Sequence, residues 1–243
     1  MRTKSALVVL LAVLASSSAL AARSKPAASP DPIRYHLGLL WRGPAWTAER
    51  TPATDSIQVG HMANIERMVR EGLLLGAGPF GSQTALRGVF FFRADTAYDL
   101  NAVVSRDPAI SSRRLRLEMM PFIAPPGMSE AYWERNRAGL PDSMIMVSWV
   151  FLRRGPQWTS NVPPKVSKLL REHREYTAQL KADGHLPFAG GIEGTGDLRG
   201  VLIFRGDTTS ARRLTDLDPA IKAGRFRAEI HPWWTGLGVL PGF

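Results

Sequence analysis

The chain has 243 residues, of which 44% are hydrophobic and 21% are charged. This length allows one or two domains, and the composition excludes a wholly disordered chain. Cysteine is absent, which excludes disulfides, cysteine-ligated metal sites and thiol nucleophiles. The net charge of +10 favours an anionic partner, but the basic residues occur in short pairs interleaved with acids, so nucleic acid is not expected as a partner.

The N-terminus has the pattern of a secretory signal peptide. A short basic start with Arg2 and Lys4 precedes an apolar run over 6–15, and small residues lead to Ala21. The apolar run is shorter than the roughly 20 residues that span a bilayer, so we expect cleavage near Ala21 and no transmembrane segment. The mature protein is therefore predicted to be periplasmic or secreted. Residues 22–34, rich in Ala, Ser and Pro, are predicted to form a flexible tether.

The rest of the chain contains an internal duplication. Gly43-Pro44-x-Trp46-Thr47 recurs as Gly155-Pro156-x-Trp158-Thr159, 112 positions later, and many further identities keep that offset until one residue is lost in the second copy. A fixed offset over so many positions indicates two copies of one unit. We predict unit 1 over 35–124, a linker over 125–143, unit 2 over 144–236 and a C-terminal tail over 237–243.

The same order of elements is predicted in each unit. Unit 1 is expected to have strands over 35–41, 73–80, 87–93 and 115–122, one helix over 57–71 and a second helix, capped by Asp95, through 97–104. Unit 2 repeats this with strands over 144–152, 186–192, 201–205 and 226–232 and helices over 166–181 and 208–217. A short helix is predicted in the linker over 128–137.

The order βαββαβ predicts an α+β fold built from two ferredoxin-like units. The helices cover one face of each sheet, and the other face is apolar and must be buried. Its simplest partner is the other unit. The chain is therefore expected to be an intramolecular pseudo-dimer, that is, a dimeric α+β barrel within one monomer.

Several short motifs together resemble the YCII-related (YciI-like) family of the dimeric α+β barrel superfamily. They are Gly-Pro-x-Trp after the first strand, a histidine in the first helix, the turn Ala77–Phe80, an Arg-Gly pair before the third strand, and Asp-Pro-Ala-Ile. The resemblance implies units that pair through their sheets, a His–Asp site, and relatives that catalyse isomerisation or dehydrochlorination. The sequence departs from the family pattern where an acid usually follows Gly-Pro-Phe: unit 1 has Gly81 there, and unit 2 has Glu193 after a turn that lacks Pro-Phe.

One His–Asp pair in each unit is the candidate catalytic site: His61 with Asp107, and His173 with Asp218. A histidine can accept and return a proton near neutral pH when a partner fixes its tautomer. In the alternative interpretation, each histidine is a packed core residue and each aspartate caps the turn before proline. The residues leave both interpretations open.

The candidate ligand-binding residues are Trp46, Phe80, Arg87, Trp158, Glu193 and Arg199. No metal-ligand spacing and no nucleotide fingerprint is present, so neither a metal nor another cofactor is expected. We expect an exported protein that binds a small apolar, aromatic or anionic molecule. If it is an enzyme, it would be a cofactor-independent isomerase or lyase with a His general base. The alternative is a non-catalytic structural or protein-interaction module.

Overall fold

The structure is a computed structural model that describes residues 31–94 and 99–243. The predicted signal peptide, most of the predicted tether and the predicted cap at Asp95 lie outside these residues. The first half contains β1 (Ile33–Arg42), α1 (Pro52–Arg70), β2 (Leu74–Pro79), β3 (Leu86–Arg93), α2 (Leu100–Ser105), α3 (Pro108–Ser111) and β4 (Leu115–Ala124). The connector holds α4 (Glu130–Arg137). The second half contains β5 (Met144–Arg154), α5 (Pro164–Ala182), β6 (Phe188–Ile192), β7 (Leu198–Phe204), α6 (Thr208–Thr215), α7 (Pro219–Lys222) and β8 (Phe226–Gly236).

The second helix of the second half is shorter than the sequence predicts. The helix expected over 208–217 ends at Thr215, and a separate turn of helix, α7, begins at Pro219. Asp218 lies between them in an extended conformation, with φ −62° and ψ 126°, because a residue before proline is kept out of the helical region. The first half has the same break before α3, where Asp107 is extended.

The eight strands of the described residues belong to one antiparallel sheet with the order β2-β3-β1-β4-β6-β7-β5-β8. The two halves meet at β4 and β6, where Phe122 pairs with Ile192. The outer edges of the sheet approach each other as well, because Phe80 forms an isolated bridge with Trp233. The sheet is therefore a nearly closed barrel. The predicted α+β class is confirmed, and the strands of both halves form one continuous sheet where a pair of separate sheets was expected.

The barrel interior is filled by aromatic side chains from both halves. Trp149 and Trp233 are both fully buried, and their rings meet edge to face with centroids 5.0 Å apart. Phe91 packs against Trp149 at 5.7 Å. Leu240, in the predicted C-terminal tail, is also fully buried in this core. The interior therefore contains packed side chains, and a ligand site has to be sought outside it.

Two further apolar layers lie on the outer face of the barrel, one under the helices of each half. The first layer contains Met68 of α1 and Phe90 of β3, and the second contains Leu180 of α5 and Phe204 of β7. The candidate histidines belong to α1 and α5, so they lie between helix and sheet. Within 31–94 and 99–243, no helix is long and apolar enough to cross a membrane.

Candidate functional site

The structure brings the predicted His–Asp pair together in both halves. His61 Nδ1 lies 2.8 Å from Asp107 Oδ2, and His173 Nδ1 lies 2.6 Å from Asp218 Oδ2. Both carboxylates are almost completely buried. Each accepts the Nδ1–H of its histidine, which places the lone pair on Nε2, the nitrogen that can take up a proton.

Each aspartate also caps a helix, as the alternative interpretation of the sequence predicts. The same carboxylate thus bonds both to the histidine and to the helix N-terminus. Asp107 Oδ1 accepts from the backbone N–H of Ala109 at 2.8 Å, at the first turn of α3. The close approach of α1 to α3 requires a glycine, since a Cβ on Gly60 would lie 2.7 Å from Pro108 Cγ. The bend before proline and the glycine on the facing helix together position Asp107 against His61.

Asn64 is a member of the site in the first half that sequence reasoning missed. Its Nδ2 donates to Asp107 Oδ2 at 3.0 Å, and its Oδ1 accepts from Arg67 at 2.7 Å. It lies three positions after His61, so the two side chains share one face of α1. The sequence could have indicated Asn64 because it is a polar residue on the apolar face of α1, three positions after His61.

A cavity of about 360 Å³ adjoins His61 in the first half. The predicted ligand residues Trp46 and Arg87 line it together with His61. Most of the remaining wall is apolar and includes Phe90, whose ring stacks on His61 at 6.0 Å, and Leu115. The structure thus assembles an apolar space with one histidine and one guanidinium group on its wall, and none of its lining residues is acidic.

The tryptophan of each Gly-Pro-x-Trp motif has three arginines around its ring. In the first half the guanidinium carbons of Arg42, Arg87 and Arg114 lie 5.2, 5.1 and 4.6 Å from the Trp46 ring centroid. In the second half those of Arg154, Arg199 and Arg225 lie 5.1, 5.1 and 3.9 Å from that of Trp158. Burial and the neighbouring Arg42 lower the pKa of Arg87.

Only one arginine of each trio was among the predicted site residues. The repeat offered a signal for a second one, because Arg42 and Arg154 directly precede the two Gly-Pro-x-Trp motifs. The third arginine of each trio precedes the last strand of its half, far away in sequence. Its approach to the tryptophan is decided by strand pairing.

The space that forms the cavity in the first half is occupied differently in the second. Phe226 stands where the first half has Leu115, and its ring contacts both His173 (5.5 Å between centroids) and Trp158 (5.9 Å). Tyr176 stands where the first half has Asn64, and its hydroxyl donates to the Leu214 carbonyl at 2.8 Å. Burial, with the charge of Asp218, raises the pKa of Tyr176.

Two predicted ligand residues lie away from the His–Asp pairs. Phe80 is 2% exposed in the barrel interior, where it meets Trp149 edge to face at 5.4 Å. Glu193 is exposed and forms an ion pair with Arg34 at 2.7 Å. Phe80 therefore contributes to closure of the barrel, and Glu193 to a surface contact between the halves. Within the described ranges, no group of His, Asp and Glu could hold a metal ion.

The fold is that of an antiparallel α+β barrel of the type found in chlorite dismutases. The chain superposes on a protein provisionally named a chlorite dismutase with a TM-score of 0.53 and 14% identity, covering 83% of this chain and 93% of that one. An arginine-to-lysine mutant of chlorite dismutase from Candidatus Nitrospira defluvii gives a TM-score of 0.52 and 11% identity, covering 84% and 92%. A heme-binding protein from Thermus thermophilus gives 0.48 and 16%, covering 86% and 93%.

Neither a family model nor a curated protein matches the sequence. The predicted membership of the YCII-related family is therefore wrong: the sequence matches no family model, and the solved structures on which the chain superposes with a TM-score above 0.5 are described as chlorite dismutases. At least one of the motifs on which it was based has a structural role. Gly43, for example, has no room for a side chain, because a Cβ there would lie 2.1 Å from the Arg113 carbonyl oxygen.

Proposed function

We propose that this protein binds a small single-ring molecule with an anionic group in the cavity beside His61. The observation that carries the proposal is the cavity itself: an apolar space of about 360 Å³ whose wall combines Trp46, His61 and Arg87. Ligand sites are typically of this kind, apolar with a few polar groups that set orientation. The volume is that of about a dozen water molecules, which suits one ring and a short substituent.

The anionic group is inferred from the charge on the wall. Arg87 forms no ion pair within the described part of the chain and makes only a long hydrogen bond, 3.4 Å, to the Ser82 carbonyl. Arg42 and Arg114 add two positive charges at the same tryptophan. A carboxylate or phenolate beside Arg87 would be held by a charge-assisted hydrogen bond.

The geometry also supports proton transfer as a second candidate function. In that reaction His61 Nε2 takes a proton from a carbon of the bound ligand, Asp107 stabilises the imidazolium and Arg87 stabilises the enolate. Return of the proton to another carbon completes an isomerisation; departure of a leaving group completes an elimination. Binding without catalysis uses the same residues. The alternative, a non-catalytic structural or protein-interaction module, would not require the cavity. It would also not require that Arg87 lack an acidic partner within the described residues.

Heme, for which one of the similar structures is named, does not fit this cavity. His61 has the arrangement of a metal-ligating histidine, with Nδ1–H on a carboxylate and Nε2 without a partner in the described residues. A macrocycle of four pyrrole rings, however, is larger than the about 360 Å³ available, and Phe90 already stacks on the imidazole. No step of the proposed function uses heme.

We further propose that each half of the barrel is one ferredoxin-like unit and that the protein is exported. The strand order β2-β3-β1-β4 within the first half, repeated as β6-β7-β5-β8, supports the first proposal. The signal-like sequence before Ala21 supports the second. N-terminal sequencing of the protein from its natural host tests export, and a chain that still begins at Met1 would contradict it.

Calorimetric titration with benzoate, benzyl alcohol and acetate tests the binding site. We expect benzoate to bind with a stoichiometry of one, benzyl alcohol to bind more weakly, and acetate to give no measurable heat. Arg87→Gln should weaken benzoate more than benzyl alcohol, because it removes the charge and keeps the apolar wall. Leu115→Phe should abolish binding of both, and Phe204→Leu, in the apolar layer of the other half, is the control. Equal benzoate binding by wild type, Arg87→Gln and Leu115→Phe would refute the site.

Solvent deuterium exchange separates catalysis from binding. Phenylpyruvate is a single-ring keto acid with an exchangeable carbon-bound proton. If His61 acts as a base, the wild-type protein should accelerate its exchange, and His61→Gln should remove the acceleration while Arg87-dependent binding persists. The corresponding variant His173→Gln serves as the control. Exchange at the uncatalysed rate with the wild-type protein would leave binding as the function and exclude the enzyme for this class of ligand.

A further inference from the structure

We propose that the three arginines around Trp158 in the second half form a binding site for a phosphate-type oxyanion. This site is separate from the cavity beside His61 and does not depend on the function proposed there. It consists of Arg154 at the end of β5, Arg199 in β7 and Arg225 directly before β8. Three different segments of the chain thus bring a positive charge to one indole ring.

The three guanidinium groups have no acidic partner within the described residues. Arg225 Nη1 donates to the Thr159 carbonyl at 2.7 Å and to its hydroxyl at 2.9 Å. Arg154 and Arg199 donate to the backbone carbonyls of Thr195 and Gly194. All of these acceptors are neutral, so the three charges are not compensated.

The nearby carboxylates are held by other arginines. Asp197 pairs with Arg153 at 3.1 Å and with Arg227 at 3.0 Å, and Glu229 also pairs with Arg153. Arg153 is adjacent in sequence to Arg154, and Arg227 lies two positions after Arg225. Arg153 and Arg227 form ion pairs with carboxylates, whereas Arg154 and Arg225 do not. The absence of a counter-charge at Trp158 is therefore a property of this cluster and not of the whole surface.

Several buried donors of the cluster also have no acceptor. They are Arg154 Nε, Arg225 Nε and Trp158 Nε1. Arg225 is only 3% exposed. A buried donor without a partner destabilises a protein, and a charged group without a partner destabilises it more. Uncompensated positive charge together with unpaired donors is the complement of an oxyanion, which brings negative charge and acceptor atoms only.

A cavity of about 480 Å³ gives access to Arg225. Lys165 and Lys168 of α5 line it as well, and its one acidic residue, Glu172, lies 3.7 Å from Lys168. The charges on its wall are thus predominantly positive. Burial, followed by the charge of Arg199, lowers the pKa of Arg225, and burial with the charge of Arg154 lowers that of Arg199. A bound anion would relieve this repulsion.

The first half has a similar but more open trio. Arg42 is exposed there, and Arg114 Nη1 is the unpaired buried donor of the trio. We expect this trio to bind an isolated oxyanion less tightly, because water screens its charges. The test therefore uses an Arg114→Gln background, which removes one of the three charges at Trp46, and the response to Arg225→Gln assigns the remaining phosphate binding to the second half.

The experiment is a calorimetric and ³¹P NMR titration of the full chain with inorganic phosphate at constant ionic strength, with chloride as the competing anion. We expect one saturable site in the Arg114→Gln background. Arg225→Gln should weaken it at least tenfold, because one charge-assisted interaction is lost. Arg154→Gln keeps the test valid if loss of the buried Arg225 prevents folding. Arg227→Gln, which removes an arginine already paired with Asp197, is the matched control and should not change the affinity.

A parallel titration with phenyl phosphate distinguishes two sources of the anion. Tighter binding than inorganic phosphate indicates the phosphate group of a larger ligand that extends into the cavity; equal binding indicates the free ion. The proposal is overturned if phosphate binding is not saturable, or if Arg227→Gln weakens it as much as Arg225→Gln and Arg154→Gln do. Leu115→Phe blocks the cavity beside His61 and should leave phosphate binding intact, so failure of one proposal does not imply failure of the other.

Discussion

The two halves of the barrel share a polar framework and differ in the apolar residues around it. Both have a histidine bonded to a buried aspartate and a tryptophan surrounded by three arginines. The first half places its large aromatic residue in β3, as Phe90, and leaves Leu115 at the start of β4. The second half reverses this, with Leu202 in β7 and Phe226 at the start of β8. The ring that contacts the histidine therefore comes from β3 in the first half and from the start of β8 in the second. We expect this exchange to decide which half binds a ligand beside its histidine.

The polar networks differ in their reach as well. Asp107 binds His61, the Ala109 N–H and Asn64, and Asn64 continues to Arg67. Asp218 binds His173 and the Ala220 N–H, while the neighbouring Tyr176 bonds elsewhere. In both halves, therefore, the aspartate is bonded to its histidine and to a backbone N–H. The additional bond from a side-chain amide, that of Asn64, occurs in the half whose cavity adjoins the histidine.

The largest expected change in stability comes from removing the buried aspartate that each half has in common with the other. Asp107→Ala should lower the free energy of unfolding by about 3–4 kcal/mol, because it removes a helix cap and leaves His61 and Asn64 with buried unpaired donors. Asp218→Ala should lower the free energy of unfolding by about 2–3 kcal/mol, because Asp218 has no side-chain amide partner corresponding to Asn64. Urea unfolding at neutral pH measures both. A larger loss for Asp218→Ala would contradict the described difference between the networks.

The next prediction transfers the cavity from one half to the other. The double variant Leu202→Phe/Phe226→Leu gives the second half the aromatic arrangement of the first, and we expect benzoate to bind there too, which raises the stoichiometry from one to two. Phe226→Leu alone should destabilise the protein by about 1–2 kcal/mol through the space it creates. Phe204→Leu is a control of equal chemistry in the same apolar layer. An unchanged stoichiometry in the double variant would show that the aromatic exchange does not decide the cavity.

A smaller effect is expected from the third contact of each network. Asn64→Leu should lower the free energy of unfolding by about 1–2 kcal/mol, because Asp107 and Arg67 each lose a partner. Tyr176→Phe should lower it by about 1 kcal/mol, the contribution of one hydrogen bond to a carbonyl. The ¹⁵N shifts of the imidazoles provide a second readout: Asn64→Leu should change those of His61, and Tyr176→Phe should leave those of His61 unchanged.

The last prediction concerns the pH dependence of stability and compares Glu229 of β8 with its counterpart Glu118 of β4. Hydrogen bonds from His231 and Arg153 lower the pKa of Glu229 to about 2, against an ordinary value of 4.5. A lowered pKa contributes stability that is present above about pH 4.5 and is lost as the pH falls toward 2. Glu229→Gln should therefore flatten the loss of stability between pH 4.5 and 2. Glu118, which accepts from Trp41 Nε1 at 2.9 Å, provides the matched control in Glu118→Gln.

The sequence predicted the element order and the His–Asp pairs because both depend on short-range patterns repeated at a fixed offset. Helical spacing placed His61 toward the sheet, and the bend before Pro108 placed Asp107 where the second helix breaks. The family assignment failed for the same reason: short motifs such as Gly-Pro-x-Trp record tight backbone packing. A glycine at this position is required because the backbone of another segment lies too close for a side chain. A motif of this kind therefore does not identify a protein family or a ligand.

What the sequence by itself determined, then, is the order of strands and helices in the two halves and the polar residues that are paired in each. Only the tertiary structure decided that Phe80 meets Trp233 to close the barrel and that Arg114 and Arg225 reach the tryptophans of their halves. It also decided that the Phe226 ring packs on His173, at the position where the first half has a cavity lined by Leu115. These contacts join residues far apart in the chain. They depend on strand register and on the volumes of facing side chains, and neither is encoded in any single local pattern.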